Sequence, residues 1–141
     1  MALLMPFYDL NKKIVKVNIN KYKIDWDRSS CSNLQTQVKE FLEEFWKYKK
    51  VLEEFKIPRT RLRIDFLNIT DKIAVEANGD QHDKFVPHFH KNLNGFLEHC
   101  GRDRKKDDWL EKNGYKLIEI YPKDIKNLSK ESIFELYGIE L

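Results

Sequence analysis

At 141 residues, 41% of them hydrophobic and 35% charged, the chain suits one domain around one core and is poorly suited to disorder. A net charge of +3 does not in itself announce a polyanionic partner, so the distribution of charge matters more than its sum. Two cysteines, Cys31 and Cys100, without a CxxC spacing argue against a disulfide framework or a cysteine-rich zinc site and fit a reducing interior. The opening MALLMPFY is too short, and lacks the basic lead, for a signal peptide, and no run approaches membrane-spanning length; a cytoplasmic protein with no membrane partner is expected.

Residues 1–31 read as an extension. NKKIVKVNINKYKIDW alternates apolar and polar residues and predicts one or two strands. Ser30 or Ser32 then supplies a cap for a helix running to about Lys50, with Leu34, Val38, Phe41, Leu42, Phe45 and Trp46 as its apolar stripe. VLEEFKI predicts a strand ended by Pro58, and two more strands follow at 61–67 and 72–77. From about Pro87 to Asn113 the pattern is helical, with a break expected at Gly101 and a stop at Asn113-Gly114. YKLIEIY predicts a last strand, Pro122 opens a short helix, and ESIFELYG closes the chain. This order indicates an α/β domain over 32–141, a mixed sheet with helices on its faces, preceded by a β extension over 1–31.

The segment RLRIDFLNITDKIAVEANGDQH, Arg61 to His82, carries the chemistry. With Asn68–Asp71 as the turn, Leu67 pairs with Lys72, Asp65 lies opposite Ala74, and Glu76 is its diagonal neighbour on the same face. Any even-numbered turn keeps the two acids on one face; an odd one separates them. Arg63 falls opposite Glu76, and Leu62, Ile64, Phe66, Ile73, Val75 and Ala77 form the opposite, core face. Two carboxylates and a few waters suit Mg²⁺, which can polarise a phosphoryl oxygen and acidify water. A cross-strand Arg63–Glu76 ion pair with a solvated Asp65 explains the same residues without a metal. Asn78-Gly79-Asp80 is a turn, and His82 just beyond it can act as a general base or acid. His88 and His90 could share a strand face, but no third ligand sits at zinc spacing.

A strand ending IDF, a turn, and a strand running into EANGDQH resembles the PD-(D/E)xK nuclease superfamily. The branch resembled is that of very-short-patch repair endonucleases and phage homing endonucleases with an EDxHD pattern. RDRKKDDWLEKNGYKLIEIYPKDI resembles the helix-then-strand segment of that branch, and the matches span roughly residues 32–127. The resemblance implies a restriction-endonuclease-like core and a Mg²⁺- (or Mn²⁺-) dependent hydrolysis of DNA phosphodiesters. Asp65 and Glu76 would hold the metal, His82 would relay protons, and Gln35 and Asp103 would hold waters. Lys106, one helical turn beyond Asp103, would stabilise charge on the reacting phosphate. Arg59, Arg61, Arg63, Arg102, Arg104 and Lys105 would hold the DNA backbone, and a homodimer would cut both strands. The sequence departs from the family pattern twice. Asn78 stands where a lysine is usual, leaving His82, Lys84 or Lys106 to compensate, and Gln35 stands where the first helix often has Glu, with Glu40 the next acid along. Those departures keep open an alternative, a nucleic-acid-binding module of nuclease-like fold without cleavage. A third is a protein-interaction domain that docks its partner through the acidic and basic faces.

Overall fold

The computed structural model describes residues 3–79 and 93–141, without the side chains of 93–100, 102 and 103. Strands β1 (Leu4–Tyr8) and β2 (Ile14–Asn18) form an antiparallel hairpin, followed by a 3-10 turn over Ile19–Tyr22. The Asp9 carboxylate closes the hairpin turn by accepting from the backbone N–H of Asn11 and Lys13. Helix α1 (Asn33–Trp46) starts at Ser32, whose hydroxyl accepts from the Gln35 N–H. Its buried face is Gln35, Val38, Lys39, Leu42 and Trp46, at helical spacing.

A four-stranded sheet follows in the order β3 (Val51–Lys56), β4 (Arg63–Asn68), β5 (Ile73–Ala77), β6 (Lys116–Ile120). The β3–β4 and β4–β5 pairs are antiparallel, and β6 runs parallel to β5. A parallel neighbour cannot be reached by a tight turn. Helix α2 (Leu93–Lys112) makes that crossover. It runs unbroken through Gly101, so the break expected there does not occur; one glycine costs only about 1 kcal/mol in a helix otherwise held by packing. It stops at Gly114, which takes the left-handed φ of +79° that the chain reversal needs. A second 3-10 turn (Pro122–Asn127) and helix α3 (Lys130–Tyr137) complete the chain, α3 being capped by Ser129 and ended by left-handed Gly138.

The β4–β5 register differs from the sequence expectation. The pairs are Asn68↔Ile73, Leu67↔Ala74 and Phe66↔Val75, so the turn is Ile69–Lys72. The turn moves one residue because the Asn68 side chain folds onto Asp71, accepting from its N–H and donating to its carboxylate, while Lys72 takes the left-handed φ of +56°. The number of turn residues stays even, so parity survives, but Asp65 comes opposite Glu76 instead of Ala74. Arg63 accordingly does not face Glu76; it pairs with Lys56 of β3.

Both faces of the sheet are covered. Phe66, Ile73, Val75, Ile118 and Ile120 pack under α1 with Val38, Leu42 and Trp46. Leu52, Phe55, Ile64, Leu67 and Ala74 pack with Trp109 and Leu110 of α2, joined by Phe7 and Ile19 from the N-terminal residues. Ile64 and Phe66 therefore enter different clusters, contrary to a single alternating core face. The partner strand β3 shows the same step: Leu52 and Phe55, three apart, enter one cluster, with Glu54 between them at φ +55°. Trp109 is fully buried between Phe7, Phe55 and Tyr115, and its indole N–H donates to the Tyr8 carbonyl at 2.7 Å. Trp109→Ala is expected to cost about 3–5 kcal/mol in urea unfolding.

Candidate active site

The β4–β5 ladder ends at Phe66↔Val75. One step further the strands are joined by side chains instead. The Asp65 N–H donates to Glu76 Oε2 at 3.0 Å, and the Ala77 N–H donates to Asp65 Oδ2 at 2.8 Å. Each carboxylate thus replaces a carbonyl that the parted strands no longer offer. Asp65 and Glu76 share the face of Leu67 and Ala74, which α2 covers. Lys106, one turn before Trp109 and Leu110, is carried onto Glu76 with Nζ 2.9 Å from Oε1. The expected second wall on α2 is therefore present at Lys106, while the solvated Asp65 of the metal-free reading is corrected: Glu76 is buried and Asp65 half-buried.

A third carboxylate that sequence reasoning missed belongs to this neighbourhood. The pairs Glu53↔Phe66 and Phe55↔Ile64 bracket Glu54 and Asp65, so these two are register partners across β3 and β4. Glu54 holds a conformation that costs a non-glycine residue roughly 1–2 kcal/mol. Its carboxylate accepts from Gln35 Nε2 at 2.9 Å, lies 3.4 Å from the Cys31 thiol, and faces Arg63 at 3.9 Å. Gln35 is buried; its amide also donates to Glu53 at 3.0 Å and accepts from Cys31 at 3.2 Å. The ion pair of Arg63 is thus with Glu54, not Glu76. Burial and then the Glu54 charge push the Cys31 thiol up, with Asp65 adding to the effect. The doublet Glu53-Glu54 between the apolar Val51-Leu52 and Phe55 was the available signal; a positive φ at glutamate has none.

Burial first, and the adjacent Glu76 charge second, push the Asp65 carboxyl up to about 8, against a partial pull down from the Ala77 N–H and Lys106. Burial and the neighbouring Glu76 charge thus favour the protonated form of Asp65, and a bound cation would favour its carboxylate. The all-oxygen donor set fits a hard divalent ion such as Mg²⁺ or Mn²⁺. Among the described residues no group of three or more His, Cys, Asp or Glu side chains is placed to hold a metal, so the pair would need a carbonyl, water or phosphate oxygen to complete the shell. The raised Asp65 value means the folded state holds a proton that the unfolded chain has released above its ordinary 3.8. The associated stability is full below that pH and is lost as pH rises toward 8. In EDTA, Asp65→Asn should remove this slope and make the protein more stable than wild type by on the order of 2 kcal/mol at pH 8, read from paired denaturation curves.

The remaining predicted residues divide by location. His82 and Lys84 lie outside the described residues, as do the Arg102 and Asp103 side chains. Asn78 donates its N–H to the Ile120 carbonyl and its side chain bonds the Tyr121 hydroxyl, which also donates to Glu119. Arg61, Arg104 and Lys105 are exposed. Arg59 is exposed too, but its guanidinium is held 3.0 Å from the buried Asp9 carboxylate. Among the described residues no helix is long and apolar enough to cross a membrane.

No protein-family model matches the chain, and no solved structure matches it. Two curated viral proteins are similar over part of it. Uncharacterized protein 307L of Invertebrate iridescent virus 6 is 42% identical over 67 residues, 48% of this chain and 34% of that protein. Uncharacterized protein 033L of Invertebrate iridescent virus 3 is 38% identical over 64 residues, 45% of this chain and 33% of that protein. The similarity spans about a third of the length of these relatives.

Proposed function

We propose that this chain is a metal-dependent endonuclease that hydrolyses DNA phosphodiesters, with a restriction-endonuclease-like core. The observation that carries the reading is the meeting of Asp65 and Glu76 at the point where β4 and β5 part, with Lys106 2.9 Å from Glu76. The ordered resemblance of residues 32–127 to the very-short-patch repair and homing endonuclease branch, carried in part by the same residues, supports the same reading. Bound between the two acids, Mg²⁺ would polarise a phosphoryl oxygen and acidify a water. Asp65 and Glu76 would hold that ion, the Ala77 and Asp65 N–H groups fix the orientation of the two carboxylates, and Lys106 would offset the negative charge gathered beside the phosphate. His82 takes or returns the proton of the attacking water, in the role the resemblance assigns to it. DNA is the partner, gripped along its backbone by Arg61, Arg104 and Lys105 with Arg63 beside the acids. Two copies would cut both strands, in the cytoplasm of the host cell.

One observation favours the second reading, a nuclease-like module that binds nucleic acid without cutting. The Gln35 amide is committed to Glu53 and Glu54, and the Asn78 amide to Tyr121. Supercoiled and linear DNA incubated with Mg²⁺, Mn²⁺ or EDTA separates the two. Metal-dependent cutting that disappears in Asp65→Ala and falls in His82→Ala is the expected result. Salt-sensitive binding with no cutting in either metal selects the module, and cutting that survives Asp65→Ala removes the carboxylate pair from the mechanism.

A further inference from the structure

At the opposite end of α1 from Gln35 lies a cleft of about 340 Å³, formed where Lys23 and Ile24 join the start of β3. Fourteen helical residues separate the two ends, roughly 20 Å of rise, so this cleft is distinct from the carboxylate site. Its rim is basic. Lys23, Lys47 and Lys50 are exposed, and among the described residues none of the three is in an ion pair; Lys49 is paired with Asp71. Its aromatic members are half-buried Trp26 and Tyr48, a residue 95% exposed with the Lys47 ammonium 6.0 Å from its ring centre.

The helix dipole accounts for lysines just beyond the α1 C-terminus. It does not account for Lys23, which arrives from a separate segment, nor for an aromatic ring left almost entirely in water. Cations spaced around a cleft, with a bare ring beside them, match the needs of a polyanion whose monomers carry flat faces. Single-stranded nucleic acid has both: phosphates for the lysines and bases that stack on a ring without regard to sequence. Duplex DNA would present phosphates but keep its bases stacked within the helix. A cleft of 340 Å³ is within the range that holds one nucleotide-sized group.

We infer that the cleft bounded by Lys23, Lys47, Lys50 and Tyr48 is a binding site for single-stranded nucleic acid, with backbone phosphates on the lysines and a base stacked on Tyr48. The inference does not rest on the endonuclease reading, since the Asp65–Glu76 pair takes no part in it.

The test is fluorescence anisotropy of the full chain in EDTA, with a labelled oligothymidine of about 15 nucleotides at about 50 mM salt. The wild type and the surface control Lys130→Gln are expected to bind alike. Tyr48→Ala should weaken binding by about 5- to 150-fold while Tyr48→Phe retains it. The triple variant Lys23→Gln/Lys47→Gln/Lys50→Gln should lose on the order of 100-fold and flatten the log–log salt slope by about 2. All of these side chains are at the surface, so circular dichroism should show unchanged folding. Thymidine monophosphate at the same nucleotide concentration should not compete, because it engages one lysine where the strand engages several. The inference is overturned if the wild type does not bind the strand, if Tyr48→Ala or the triple variant binds as the wild type does, or if Tyr48→Ala weakens the binding of a duplex of equal length as much as that of the strand. It is equally overturned if the mononucleotide competes on equal terms, or if phosphatidylserine vesicles are bound and the oligonucleotide is not.

Discussion

Asp65→Ala is expected to lower Mg²⁺-dependent DNA cleavage by at least about 1,000-fold, on the order of 4 kcal/mol of transition-state stabilisation. The size follows from position. Asp65 supplies one of two side-chain carboxylates where the sheet parts, and its partner Glu76 is already shared with Lys106. Removing Asp65 leaves Glu76, already paired with Lys106, and Glu54, engaged by Gln35 and Arg63, as the acids left to hold a divalent ion against a phosphate. Glu76→Gln should lose less, roughly 10- to 100-fold, because the amide still accepts from the Asp65 N–H while freeing Lys106. Asp65→Asn separates chemistry from folding: it keeps an acceptor for the Ala77 N–H and relieves the repulsion with Glu76, so it should be inactive yet more stable without metal. Single-turnover cleavage and urea unfolding on the same preparations check both halves. A variant as unstable as it is inactive would argue that the pair is structural.

Lys39→Met should be among the most destabilising single changes on α1, at about 3 kcal/mol in denaturant titration. Lys39 is 3% exposed, with its ammonium 2.8 Å from Glu53 and 2.7 Å from the Arg28 carbonyl. Methionine fills the same volume but leaves Glu53 with the Gln35 amide and the Ser30 hydroxyl as its donors. A buried carboxylate without its cation costs far more than an exposed one, where the loss of a pair is worth 1 kcal/mol at most. Adding Glu53→Gln removes the stranded charge and should return more than half of the loss. A cost below about 1 kcal/mol for Lys39→Met would mean that the ammonium reaches water instead.

Much of the fold was legible because local patterns decide it. Ser32 at the head of the Leu34–Trp46 stripe marks α1, and Gly114 marks the end of α2. A short, largely apolar run bounded by turn residues marks β5. Gly101 misled, because a single glycine is a weak breaker once neighbouring turns are packed. At the site, parity alone put Asp65 and Glu76 on one face, since every even-numbered turn gives that result. The register itself depended on how the Asn68 side chain closes on Asp71, a contact that periodicity does not encode.

The sequence by itself determined the elements, their α/β order and the shared face of the two acids, because turn, cap and strand preferences act over a few neighbouring residues. Only the tertiary structure decided who meets whom. It moved Arg63 from Glu76 to Glu54 and carried Lys106 onto Glu76 through the β5–α2–β6 crossover. It also buried Lys39 against Glu53 and set Lys23 beside Lys47, Lys50 and Tyr48. Those partners are far apart along the chain, and charges so separated meet only after packing has fixed the backbone that bears them.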